Sequence, residues 1–233
     1  MSLEDTSVLS QKVDLNIFSN CTINNSNDIL MLKKTFNSWR DIFSIKFVNQ
    51  INVFIDPHPK IENYNSYSQK IKDFFENEDM ECDIHKTNGL SDGYLKSTKL
   101  CKSDYLFQLE HDWEFLPTIK HDIDFIVNCM KKQKMEHLRF NKRDNINLNE
   151  TLTEIEVNGC KYCRTTKRSN NPHIIDRKSY LSNWNSLIDV SNYPKRADGI
   201  ENKMVGIEGY IYGGFKYSKQ INHTDGRGTK IKK

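Results

Sequence analysis

The sequence predicts an α/β fold, a twisted and mostly parallel sheet flanked by helices and followed by an irregular second half. Three observations lead there. From Val13 to Asp112, short apolar segments alternate with stretches of helical periodicity. The helix-like stretches are long enough to serve as the crossovers that parallel strands require. The last strand-like segment, Tyr105 to Leu109, is largely apolar and runs straight into Glu110-His111-Asp112.

The first strand spans Val13 to Ser19, where apolar and polar residues alternate. Asn20 to Asn27 is a polar loop, and Asp28 is placed to cap a helix from Ile29 to Phe43. Leu30, Leu32, Phe36, Trp39 and Phe43 lie near helical spacing along it. A second strand, Ile51 to Ile55, stops at Asp56-Pro57-His58-Pro59, because proline cannot donate to a ladder. Tyr64 to Asn77 reads as a second helix and Met80 to His85 as a short third strand. Asn88-Gly89-Leu90-Ser91-Asp92 is a turn, with Ser91 or Asp92 capping a third helix that runs to Cys101. The strand into Glu110-His111-Asp112 follows. In open α/β sheets ligands bind at the carboxyl ends of the strands, so an acidic tip there can hold a divalent cation.

Beyond Leu116 the pattern loosens. Asp122 to Lys134 reads as a helix, Glu136 to Asn141 as a strand, and Asn145 to Glu156 as a polar loop. Cys160 to Lys167 and His173 to Asp176 are expected as edge strands, Tyr180 to Ile188 and Ile200 to Tyr210 as helices, and Ile211 to Ser218 as a final strand.

Bulk properties narrow the function. The 233 residues allow one large domain or two small ones, and no Gly/Ser-rich linker divides them. Hydrophobic content of 36% and charged content of 28% are those of an ordinary globular chain. A net charge of +3 argues against a dedicated nucleic-acid binder. It suits an anionic small substrate held by a local basic patch. No apolar run approaches the ~20 residues needed to span a bilayer, and no secretory signal is seen at the start. A cytoplasmic protein is therefore expected. Of the six cysteines only Cys160 and Cys163 have C-x-x-C spacing, with no second pair to complete a zinc site. Scattered thiols in a reducing compartment are the expectation.

The order of these pieces resembles the GT-A class of nucleotide-sugar glycosyltransferases, broadly its family 2-like members. The passage from Asn88 to Asp112 is similar to the approach to that class's D-x-D motif, with Glu110 in the place of its first Asp. Gly199-Ile200-Glu201-Asn202-Lys203 resembles the acidic motif that opens the acceptor-side helix. His223-Thr224-Asp225-Gly226-Arg227-Gly228 is similar to the segment carrying a late metal-binding His. The resemblance implies a domain over 13–228, preceded by a flexible terminus (1–12) and followed by a basic tail (229–233). Residues 13–115 would bind the nucleotide sugar and 116–228 the acceptor.

It further implies a metal-dependent transfer of sugar from a nucleotide-diphosphate donor, with UDP-sugar as the commonest choice, onto a glycan, lipid or protein hydroxyl. The cofactor would be Mn²⁺ or Mg²⁺, with Asp112 and His223 as protein ligands. Ser19, Asn20, Asp56, Asp92, Glu110 and Arg227 would contact the nucleotide, ribose or diphosphate. Inversion at the sugar requires a carboxylate base. Glu201 is the first choice and Glu208, seven residues on and so on the same helical face, the second. Trp113, Trp184, Tyr210 and Tyr212 are candidate sugar platforms. Arg139, Lys142, Arg143, Arg164, Lys167 and Arg168 form a basic cluster that can line an anionic acceptor or diphosphate pocket, or lie on a solvated face. Competing readings are a non-catalytic glycan- or nucleotide-binding module, a sugar-phosphate nucleotidyltransferase and a metal hydrolase built on His111-Asp112. The second lacks the Gly-rich loop expected after the first strand, and the third lacks further His/Asp clusters.

Overall fold

The computed structural model describes residues 11–20, 29–57, 64–146, 152–166, 169–184 and 208–224, with the side chains of 183 and 184 excepted. The first half runs β1 (Val13–Asn20), α1 (Leu30–Arg40), β2 (Val48–Asp56), α2 (Tyr64–Glu76), β3 (Asp83–Lys86), α3 (Leu90–Leu100) and β4 (Tyr105–Glu110). The second half comprises β5 (Trp113–Phe115), α4 (Ile123–Gln133), β6 (His137–Arg139), β7 (Leu152–Val157), β8 (Cys160–Thr165), β9 (His173–Asp176), α5 (Arg177–Trp184), β10 (Gly209–Tyr212) and β11 (Ile221–His223).

One nine-stranded sheet, in the order β3-β2-β1-β4-β9-β6-β10-β8-β7, crosses both halves. β1 pairs in parallel with β2 and β4, β2 with β3, and β6 with β10. β9 runs against β4 and β6, and β8 runs against β10 and β7. Among the described residues, seven strands therefore share one direction and only β8 and β9 oppose it. β11 and β5 form a separate antiparallel pair.

The sheet is covered on both faces. On one face Leu15, Ile17, Val53, Phe107 and Leu109 pack under Phe36 and Trp39 of α1, Ile71 and Phe75 of α2, and Ile126 and Met130 of α4. On the other, Phe18, Phe54, Leu106 and Ile175 meet Tyr94 of α3 and Tyr180 of α5. Gly93 lets α3 approach β1 closely, since a Cβ there would stand 3.0 Å from the Phe18 ring. Each large apolar side chain removed from water contributes about 1.5–3 kcal/mol before entropy is counted.

Covering both faces also buries the polar half of the alternation in β1. Asp14 and Asn16 are fully buried rather than solvated. Asp14 accepts from the backbone N–H groups of Lys102 (2.8 Å) and Ser103 (3.1 Å), from Ser103 Oγ (2.7 Å) and from Asn49 Nδ2 (2.9 Å), tying the α3–β4 connection to β1. The strand register places Asn52, Asn16, Gln108, His173 and Arg139 side by side across five strands. All five are buried. Asn52 Nδ2 donates to Asn16 Oδ1 at 3.1 Å, and Ser97 Oγ to Gln108 Oε1 at 3.3 Å. Cys82, Cys101, Cys129, Cys160 and Cys163 are free thiols.

Several expectations are corrected, most of them in the second half. The polar stretch taken for a loop contains strand β7. β9 is an interior strand between β4 and β6, and β8 is interior too; β7 is the edge. Gly209 and Tyr210, expected at a helix end, belong to strand β10, which stops at Tyr212. Among the described residues the last strand is Ile221–His223. α3 starts at Leu90, so Ser91 and Asp92 lie in its first turn rather than at its cap. Antiparallel insertion of β9 is set by long-range pairing, which local periodicity does not encode. The proposed Asp28 cap lies outside the described residues.

His173 yields a prediction. Its ring is fully buried between Tyr94 and His137, at centroid distances of 5.8 and 4.6 Å, and it faces the Arg139 guanidinium. Burial pushes its pKa down to about 4, against about 6.5 in an unfolded chain. Above pH ~6.5 the imidazole is neutral in both states. As pH falls toward 4, the unfolded chain takes up a proton that the native state refuses, and stability drops by on the order of 3 kcal/mol. Urea midpoints of His173→Gln should decline less between pH 6.5 and 4 than those of the wild type. Parallel curves would show that His173 is not the group responsible.

Candidate active site

The parallel register pairs Phe18 of β1 with Glu110 of β4. The ladder continues one residue further, where the His111 N–H donates to Phe18 O at 2.9 Å. The chain then turns into β5. Thr35 of α1 holds this turn from beneath: its Oγ1 donates to His111 O (2.6 Å) and accepts from Trp113 N–H (3.1 Å). The other side is held by the segment after β11. Thr224 donates both its N–H (2.8 Å) and its Oγ1 (2.9 Å) to Asp112 O. Because β11 lies antiparallel to β5, His223 pairs with Trp113. Its Nε2 comes to 3.2 Å from Asp112 Oδ2. Asp112 is only 3% exposed.

A carboxylate oxygen and an imidazole nitrogen converging at this distance fit a divalent cation of the Mn²⁺ type, which accepts both donors. The residues present are therefore compatible with the cofactor that the resemblance implies. Among the described residues, no cluster of three or more His, Cys, Asp or Glu groups surrounds such an ion.

The neighbouring strand ends gather the other predicted contacts. Asn20 and Asp56 are register partners at the carboxyl ends of β1 and β2. Asn20 is exposed, whereas Ser19 is buried, its Oγ 2.7 Å from Tyr67 OH of α2. Asp56 Oδ1 accepts from Gly89 N–H at 3.0 Å, and Asp92 Oδ2 accepts from Asn88 N–H at 2.9 Å while pairing with Lys96 Nζ at 2.8 Å. Two predicted carboxylates thus grip adjacent backbone amides of one turn, where Gly89 takes the positive φ of 94° that a side chain would oppose. Ser19, Asn20, Asp56, Glu110 and Asp112 all lie along one edge of the sheet, across strands about 5 Å apart.

Other predicted residues lie elsewhere. Glu208 directly precedes β10, at the opposite edge of the sheet from Asp112, so its expected place on a helical face beside Glu201 is corrected. Its carboxylate pairs with Arg164 and accepts from Tyr210 OH at 2.7 Å. Burial and then that Glu208 contact push the Tyr210 phenol up to about 12. Trp113, Tyr210 and Tyr212 are core residues, at most 4% exposed, rather than open sugar platforms. Tyr212 OH lies 2.6 Å from His121 Nδ1. The basic cluster is dispersed. Arg139 is buried on the α3 face and Arg164 is engaged by Glu208, whereas Lys142 and Arg143 are exposed. Glu201, Lys167, Arg168, Arg227 and the Trp184 side chain lie outside the described residues. Thr35, Tyr67 and Thr224 escaped sequence reasoning. Thr35 and Thr224 act on backbone groups and Tyr67 on the Ser19 hydroxyl, long-range contacts that leave no local signature in the sequence.

No protein-family model matches the chain, and no curated protein matches it. Solved structures do. A crystal structure of GalNAc-T7 with UDP, GalNAc and Mn²⁺ aligns over 91% of this chain and 44% of its own, at TM-score 0.61 and 10% identity. TarS residues 1–349 from S. aureus, in complex with UDP-GlcNAc, aligns over 88% of this chain and 57% of its own, at TM-score 0.53 and 11% identity. The fold is GT-A-like. This chain spans about half the length of those two structures. An inositol-1-phosphate CTP transferase from T. maritima aligns at TM-score 0.49, too distant to carry an argument. Among the described residues, no helix is long and apolar enough to cross a membrane.

The GT-A-like edge depends on Thr35, and this is testable. Thr35→Val keeps the shape but strands the Trp113 N–H and removes the donor to His111 O. It should cost about 2 kcal/mol, on the scale of buried amides left unpaired, read as a lower urea midpoint at unchanged m-value. An unchanged midpoint would mean that the turn holds itself.

Proposed function

We propose that this chain is a glycosyltransferase that moves a sugar from a nucleotide-diphosphate donor, a UDP-sugar, to a hydroxyl acceptor. The observation that carries the proposal is the Asp112–His223 pair at the carboxyl edge of a GT-A-like sheet. Two solved structures of this fold contain UDP or a UDP-sugar, and one contains Mn²⁺, which supports the choice of donor and metal.

In this reading Asp112 and His223 would hold Mn²⁺ or Mg²⁺. The ion, when bound, supplies Lewis-acid neutralisation of the leaving diphosphate. His223 would coordinate through Nε2, with its remaining proton on Nδ1. Ser19, Asn20, Asp56 and Asp92 would contact the base and ribose of the nucleotide, a reading supported by the place of Asn20 and Asp56 at the carboxyl ends of neighbouring strands. Glu110 sits between those groups and the Asp112 turn. Arg227 would fork onto the diphosphate. Transfer with inversion is a single displacement. The acceptor oxygen bonds to the anomeric carbon as the carbon–oxygen bond to the diphosphate breaks, and its electron pair leaves with the diphosphate. Glu201 would take the acceptor proton. Glu208 is not retained in that role, because it faces the opposite edge.

Release of nucleoside diphosphate from UDP-sugars, with and without Mn²⁺, tests the reaction. Turnover that requires both metal and acceptor is the expected result. Binding without turnover would favour a non-catalytic module on the same fold. Asp112→Ala should abolish divalent-dependent donor binding. Glu201→Gln should keep donor binding and lower the transfer rate about 10²–10⁴-fold. Undiminished metal-dependent binding by Asp112→Ala would remove the residue from the site.

A further inference from the structure

Trp113 follows the acidic turn, and both of its ring contacts are informative. The His223 ring lies 4.5 Å away centroid to centroid. The Lys142 ammonium sits over the indole, 5.8 Å from its centroid. Since His223 Nε2 reaches Asp112 Oδ2, a continuous chain of contacts links Lys142, Trp113, His223 and Asp112.

Lys142 is not on a loose loop. The preceding residue is held on both sides by the segment that leads into β11: Asn141 N–H donates to Gln220 Oε1 at 2.7 Å and Gln220 N–H to Asn141 O at 2.8 Å. Lys219 N–H donates to Asp144 Oδ1 at 2.9 Å, and Asn145 N–H to Tyr217 O at 2.9 Å. The strand that delivers His223 therefore also fixes the backbone of Lys142. The side chain itself is exposed. Among the described residues its charge meets the Trp113 indole and no carboxylate.

We propose that Lys142 is a diphosphate-binding residue, lifting its ammonium from the Trp113 face onto the departing diphosphate of the donor. This rests on the nucleotide-sugar reading above. The charge arithmetic favours it. A divalent cation bound by one carboxylate and one neutral imidazole keeps a net charge of only about +1. A departing nucleoside diphosphate carries more negative charge than that. An exposed cation–π contact is weak, whereas an ammonium–phosphate hydrogen bond is charge-assisted on both sides. Lys142 gives up the indole at little cost and gains a stronger partner. It transfers no proton: the anomeric carbon–oxygen bond breaks with its electron pair on the diphosphate, and the ammonium only donates hydrogen bonds to that charge.

The test compares UDP with uridine, the same base and ribose without phosphate, by titration calorimetry in the presence of Mn²⁺. For Lys142→Gln, UDP affinity should fall about 10-fold or more, uridine affinity should stay unchanged, and Lys142→Arg should restore most of the loss. UDP bound by Lys142→Gln as tightly as by the wild type would overturn the proposal. So would an equal loss for uridine, which would place the effect away from the phosphates. If the wild type binds neither ligand, the nucleotide-sugar reading falls and takes this proposal with it. If the wild type binds UDP and the variant matches it, only the role of Lys142 fails.

Discussion

The parallel pairing of β1 with β4 is the constraint on which the rest depends. It brings two strands distant in sequence into register, and the His111 N–H extends that register by one bond beyond the end of β4. This extra bond fixes where the acidic turn begins. Thr35 then clamps the turn from the α1 side and Thr224 from the C-terminal side. Asp112 thus presents its carboxylate from a backbone held on three sides, the pre-organisation that a binding or catalytic site needs.

The energetics follow a division of labour. Apolar layers on both faces of the sheet provide the driving force. Where both faces are covered, as in β1 and β4, a polar residue must find partners inside the protein or remain at high cost. Asp14 illustrates the solution: its carboxylate accepts from two backbone amides and two side chains, so it stitches the α3–β4 connection to β1. The polar line from Asn52 to Arg139 crosses the same layer. It runs from the strands of the first half of the chain into those of the second, with no break in the ladder between them. The acidic turn and the β11 segment that completes it are therefore braced by one continuous sheet.

Much of the first half was legible in the sequence. β1, β2, α2, α3 and β4 lie near their expected places, because each has a local signature: a run of Val, Ile and Phe, a helical stripe, or a proline stop. The second half was less legible. β7 was hidden because Thr153, Glu154 and Glu156 make a half-exposed edge strand that reads as a polar loop. β9 was recognisable as a strand, but nothing in His173–Asp176 reveals that it inserts antiparallel between β4 and β6. Glu208 shows the same difficulty from the chemical side. Its spacing from Glu201 suggested a shared helical face, but β10 begins directly after it and carries it to the far edge. A carboxylate's identity gives no indication of the edge at which its strand starts.

What the amino-acid sequence determined was local: where the chain bends, which segments are strands or helices, and that a buried strand ends in Glu110-His111-Asp112. Backbone sterics and hydrophobic periodicity act over a few residues, so they can be read directly from the chain. Only the tertiary structure decided which of those groups meet. Asp112 and Thr224 stand 112 positions apart and are joined by antiparallel pairing of two three-residue strands. So short a pairing gains little free energy by itself and forms only because the packed sheet has already closed the long loop between them.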